Sequence, residues 1–177
     1  MITLKRVFAL LLAFMLLAAN AQAAMLLEYD GEQHNYTGAV YKLYVNGKAV
    51  STPLAPIIFN DRALVPVREV FEAMGASVDY APSSREITVS MTGKTVLLQI
   101  NSQCAYVNGE RKTLTDGVVP KLIAKAGESA KTMIPVRFAS ENLGMAVNFD
   151  AANGAIRISD PSVYTEPATP APSTPSA

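Results

Sequence analysis

Leu64-Val65-Pro66-Val67-Arg68, followed by Glu69-Val70-Phe71-Glu72-Ala73-Met74-Gly75, returns later as Met133-Ile134-Pro135-Val136-Arg137, followed by Phe138-Ala139-Ser140-Glu141-Asn142-Leu143-Gly144. Both the prolines (135 − 66) and the closing glycines (144 − 75) lie 69 residues apart. Each copy reads as a strand end running into a short helix. Proline suits the first helical position, where a backbone N–H would be unpaired anyway, and glycine suits the left-handed residue that ends a helix. Val67, Val70, Phe71 and Met74 fall at i, i+3, i+4 and i+7, one apolar helix face. Val136, Ala139 and Leu143 repeat it, with Ser140 in place of the phenylalanine.

The same offset relates Val78-Asp79-Tyr80 to Val147-Asn148-Phe149, and Ile87 and Val89 to Ile156 and Ile158. Upstream, Tyr44-Val45-Asn46-Gly47 matches Tyr106-Val107-Asn108-Gly109 at an offset of 62 (107 − 45), so the second copy has seven additional residues before its proline. Asn-Gly between apolar runs marks a hairpin turn, because both residues tolerate positive φ. The pattern predicts an α+β fold of antiparallel sheets, each packed on a short helix, in two duplicated units. The first spans 24–100 and the second 101–160. Residues 114–131 are expected to form a partly ordered loop specific to the second unit.

The ends have their own compositions. Lys5 and Arg6 precede an apolar run over residues 7–19, and Ala21-Gln22-Ala23 offers a cleavage site. These are the parts of a secretory signal peptide, assigned to 1–23. The run is short of the roughly 20 residues that span a bilayer, so no stable membrane span is expected after cleavage. Residues 161–177 are rich in Pro, Thr, Ser and Ala and are expected to be a disordered spacer. The expected location is secreted or extracellular, with association to the cell wall as one option. Without Lys5 and Arg6 the 15 basic residues fall to 13 against 15 acidic ones, a net charge near −2. That balance has no electrostatic footprint for nucleic acid.

Chemistry-bearing residues are sparse. His34 is the single histidine and Cys104 the single cysteine, too few for the imidazole and thiolate sets of zinc or copper sites. His34 lies in a polar stretch and reads as a surface residue. Cys104, beside Tyr106 and Val107, reads as a small buried hydrophobe. The chain has no Gly-x-Ser-x-Gly elbow, phosphate loop or dinucleotide fingerprint. Glu72 and Glu141 each follow a motif arginine, Arg68 or Arg137, by four residues. That spacing favours a surface ion pair of roughly 0.3–0.5 kcal/mol over a ligand-binding role. Tyr29, Tyr36 and Tyr41 lie near the first strands as a candidate shallow binding surface; Tyr44, Tyr80 and Tyr106 read as core or edge.

The paired motifs resemble the copper amine oxidase N-terminal-like family, also called the stalk domain. Val45-Asn46-Gly47-Lys48, Leu64 to Arg68, Gly75-Ala76-Ser77-Val78 and Arg85-Glu86-Ile87-Thr88-Val89 carry the likeness. Met133 to Phe138, Glu141 to Gly144 and Val147-Asn148-Phe149-Asp150 repeat it. The resemblance implies an exported bacterial module with a small antiparallel sheet against a helix, often duplicated. It transfers no oxidase activity. A quinone made from Asn-Tyr-Asp/Glu finds only Asn35-Tyr36-Thr37, and a three-histidine copper site finds one histidine. The expected protein is a non-catalytic interaction module without cofactor or metal. Its partner is a cell-wall component or another surface protein, with carbohydrate or peptidoglycan binding as the alternative. Pro66, Arg68, Glu72, Gly75, Pro135, Arg137, Glu141 and Gly144 are expected to serve structure.

Overall fold

The computed structural model describes residues 24–115 and 117–164. Residues 1–23, where a signal peptide is expected, and residues 165–177 of the expected spacer lie outside the described residues. The first part of the chain gives β1 (Met25–Tyr29), β2 (Glu32–Tyr36), β3 (Lys42–Val45), β4 (Lys48–Val50), β5 (Ile57–Phe59) and β6 (Arg62–Pro66). Helix α1 (Val67–Ala73) leads to β7 (Ser77–Ala81), β8 (Glu86–Met91) and β9 (Lys94–Gln99). Then come β10 (Cys104–Val107), β11 (Glu110–Thr113), β12 (Lys121–Lys125) and β13 (Lys131–Pro135). Helix α2 (Val136–Leu143), β14 (Ala146–Asp150) and β15 (Ala155–Ser159) complete the chain.

The strands form three mostly antiparallel sheets, in the orders β2-β1-β12-β13-β6-β5, β11-β10-β9-β8-β7 and β14-β15-β3-β4. With two short helices this is an α+β fold. The period-2 patterns explain the last two sheets. Val78, Val89, Val96 and Val107 form one row across four strands of the five-stranded sheet. Tyr80, Ile87, Leu98 and Ala105 form the next. In the four-stranded sheet Phe149, Ile156, Leu43 and Val50 line up the same way. Most of these side chains join one large buried cluster, which both helices enter through Val70, Phe71, Ala139 and Leu143. A smaller cluster around Leu27, Leu54, Ile57, Leu64, Ile123 and Met133 fills the other side of the six-stranded sheet.

The arrangement departs from one sheet per helix. β3 pairs with β15 in parallel, although more than 100 residues separate them, and β9 pairs with β10 across residue 100. In the middle, β6 and β13 pair antiparallel with Val65 opposite Ile134, its own counterpart at the 69-residue offset. Each helix therefore lies against strands drawn from both halves of the chain.

Two segments were misread from sequence. The polar run Glu32-Gln33-His34-Asn35-Tyr36 is a strand held by full pairing to β1. Within the expected loop 114–131, Lys121–Lys125 is an internal strand between β1 and β13. Lysines at both of its ends hid the buried Ile123 and Ala124 from a hydropathy reading.

Candidate functional site

The repeated motif is occupied by the scaffold. Pro66 and Pro135 are the last strand residues and the helix N-caps, with ψ of 115° and 108°, one position earlier than the sequence suggested. Proline still fits, because extended ψ with φ near −61° is natural to it. At the far end Gly75 N–H donates to Glu72 O and Ala76 N–H to Phe71 O, each at 2.9 Å. Gly144 and Met145 donate to Glu141 and Ser140 in the same way. This double bond pattern is a Schellman motif, which needs a left-handed residue; φ is 85° at Gly75 and 93° at Gly144.

Arg68 Nη1 donates to Glu72 Oε1 at 2.9 Å, and Arg137 Nη1 to Glu141 Oε1 at 3.2 Å. All four side chains are about half exposed. The Asn-Gly turns do more than reverse the chain. Asn108 Oδ1 accepts the Thr95 N–H, and Asn46 Oδ1 accepts the Asp160 N–H, both at 2.8 Å, so each turn latches a neighbouring segment. Residues beyond Asp160 continue this contact: Tyr164 lies over Gly47, leaving no room for a side chain there.

Of the three candidate tyrosines, Tyr29 and Tyr36 pack against the smaller buried cluster and Tyr41 against the larger one. Tyr29 stacks on His34 at 3.8 Å and meets Phe59 edge-on at 5.5 Å. The Tyr36 hydroxyl accepts from Ile58 N–H and donates to Ala39 O, both at 3.0 Å, and burial pushes its pKa up. Tyr41 packs edge-on against Phe149. His34 is half-buried, with Nε2 enclosed and without a hydrogen-bond partner among the described residues. Its surface assignment fails because β2 alternation turns it and Tyr36 inward.

Cys104 is not the buried hydrophobe expected of it; it is partly exposed. Alternation along β10 buries Ala105 and Val107 and turns Cys104 outward with Tyr106. Its Sγ accepts a hydrogen bond from Arg111 Nε at 3.1 Å, and this guanidinium holds the thiol below its ordinary pKa.

A pocket of about 430 Å³ lies between α2, the β5–β6 turn and Thr115. Ala63, Leu114, Val118, Pro135, Phe138 and Phe149 supply its apolar lining. Asp61, Arg62, Thr115, Arg137, Glu141 and Asn142 supply its polar groups. Leu114 is anchored in the large buried cluster and Val118 in the small one. The Arg137 guanidinium lies 5.3 Å from the Phe149 ring centre, and Asn142 Nδ2 donates to Phe138 O at 2.7 Å. Sequence reasoning located the segment but not Phe138, Asn142 and Phe149 as a group. Their convergence depends on how α2 packs against β14.

A wider, more polar cleft runs beside β1 and β2, where Lys121 bonds Asp30 Oδ2 and Asn101 Nδ2 donates to Asp30 Oδ1 at 2.9 Å. Led by the lysine hydrogen bond, these contacts hold the Asp30 carboxyl below its ordinary pKa.

Residues 44–158 match the family model of the copper amine oxidase N-terminal domain. No curated protein and no solved structure matches the chain. Copper ligation does not fit these residues: the one imidazole is stacked on Tyr29, and among the described residues no three metal-ligating groups converge.

Proposed function

The chain belongs to the copper amine oxidase N-terminal domain family, and we propose that it works as a non-catalytic, exported interaction module at the bacterial cell surface. The observation that carries this reading is that the repeated signature is taken up by the scaffold. Pro66 and Pro135 start the helices, Gly75 and Gly144 stop them, and the two Arg–Glu pairs lie along exposed helix faces. Recognition then falls to what is not repeated, above all the segment that walls the pocket beside α2.

The duplicated unit, in this reading, is a pair of repeats that exchange hairpins. The β3–β4 hairpin of the first joins β14–β15 of the second, and β10–β11 of the second joins the β7–β9 sheet of the first. Such interlacing suits a rigid presenter, because four separate strand pairings hold the halves together. The signal segment supports export, and the Pro/Thr-rich tail supports a spacer role. Binding by strand addition at β11 is a poorer fit, since Glu110, Arg111 and Lys112 charge that edge.

A cell-wall glycan is the second reading, favoured by the two phenylalanines and mixed polar groups of the pocket. Co-sedimentation with purified wall sacculi tests the module as a whole. Residues 24–177 are compared with a form ending at Tyr164, which keeps the contact over Gly47. Saturable pelleting of both places wall binding in the folded part. Pelleting of the longer form alone makes the tail the anchor, and pelleting of neither points to a protein partner.

A further inference from the structure

We infer that the pocket beside α2 is a binding site for an uncharged, polyhydroxylated sugar, with Thr115 as a specificity residue in its wall. This rests on the interaction-module reading and names the ligand class for it. Its size falls within the range of about 300–1,000 Å³ typical of small-ligand sites. The buried lining is apolar, and Phe138 and Phe149 are both partly exposed in it. A pyranose presents C–H groups on its faces and hydroxyls around its edge. Aromatic faces suit the former, and a ring of donors and acceptors suits the latter.

The described polar groups are of both signs. Arg62 and Arg137 line the pocket together with Asp61 and Glu141, so among the described residues an anion or a cation would meet repulsion as well as attraction. A hydroxyl both donates and accepts, and can use either partner of the half-exposed Arg137–Glu141 pair. Thr115 and Asn142 add a hydroxyl and an amide, again groups of both kinds. An apolar peptide side chain would fill the lining but leave this mixed rim to its backbone alone.

The site is also preformed. Leu114 and Val118 are 3% and 4% exposed, so two of its lining residues are anchored in the core. Asn142 is held through its Nδ2 bond to Phe138 O, which leaves the amide oxygen with a fixed direction. Preorganisation of this kind lowers the ordering cost of binding.

The test is an amide-resolved NMR titration of residues 24–177 with tetra-N-acetylchitotetraose, with cellotetraose and with the peptide acetyl-Leu-Phe-amide. The expected result is saturable shifts at Thr115, Val118, Phe138, Asn142 and Phe149 with at least one tetrasaccharide and none with the peptide. Asn142→Ala and Thr115→Ala should each raise Kd about tenfold, the loss of one ligand hydrogen bond, while the free variants keep native amide dispersion. Glu32→Gln, in the cleft beside β2, should leave Kd unchanged. The proposal is overturned if neither sugar gives saturable shifts, if the shifts map to the cleft beside β2, or if the peptide alone binds. Sacculus binding that survives both pocket variants would overturn this site while sparing the interaction-module reading.

Discussion

Gly75 and Gly144 sit at φ of 85° and 93°, and no L side chain adopts that region freely. An added Cβ meets nothing within 4 Å at Gly75, and at Gly144 only the movable Lys94 ammonium at 2.7 Å and its neighbouring carbon. Gly75→Ala and Gly144→Ala should therefore cost about the same, roughly 1–2 kcal/mol each in urea denaturation, from the backbone alone. Unequal losses of several kcal/mol would sink that account. Ser140 makes the opposite case. It takes the place of Phe71, is fully buried, and its hydroxyl has no hydrogen-bond partner among the described residues. Ser140→Ala should stabilise the fold by about 1 kcal/mol, because a desolvated hydroxyl is removed at almost constant volume. The Cys104 thiol is the third residue-level case. Arg111→Ala should slow its reaction with a disulfide reagent near neutral pH, since the neighbouring cation favours thiolate. An unchanged rate profile with pH would show that the guanidinium does not govern the thiol.

Asp30 shows how one side chain ties elements together. From the β1–β2 turn it bonds Lys121 at the start of β12 and Asn101 in the β9–β10 connection. Its carboxyl is held low in the folded state, so its contribution is present above the ordinary carboxylate pKa of about 3.9. That contribution is lost as pH falls through the lower folded value. In thermal melts between about pH 2 and 6, Asp30→Asn should lower stability at the upper end and flatten the acid-side decline. An acid limb as steep as that of the native chain would assign the decline to other carboxyls, such as Asp150 and Asp160, which are also held low by their turn hydrogen bonds. The helices reveal a second lesson at this scale. Each is only seven or eight residues long, too short to persist alone, and each is made stable by the cluster it enters.

Across the molecule, the β3–β15, β6–β13 and β9–β10 pairings make the halves interdependent. Fragments cut in the β9–β10 connection should each give collapsed amide spectra alone and recover native dispersion when mixed. A well-dispersed spectrum from either fragment alone would refute this interdependence. Much of the design was legible in the chain: the strand–Pro–helix–Gly motif, the Asn-Gly hairpins and most strand positions follow from local periodicity and turn chemistry. Local rules also marked both Arg–Glu pairs, because four-residue spacing on a helix is itself a contact. They failed for β2 and β12, whose polar or lysine-flanked residues become strand only because neighbouring strands take their hydrogen bonds. They failed again for Cys104 and His34, whose facing is set by strand register. The sequence by itself determined the repeated elements and their ends, since these depend on residues within a few positions of one another. Tertiary structure alone decided that the hairpins cross between halves, and that Thr115, Phe138, Asn142 and Phe149 share one pocket. Those contacts join residues distant in the chain, and no local preference encodes which sheet a strand will find.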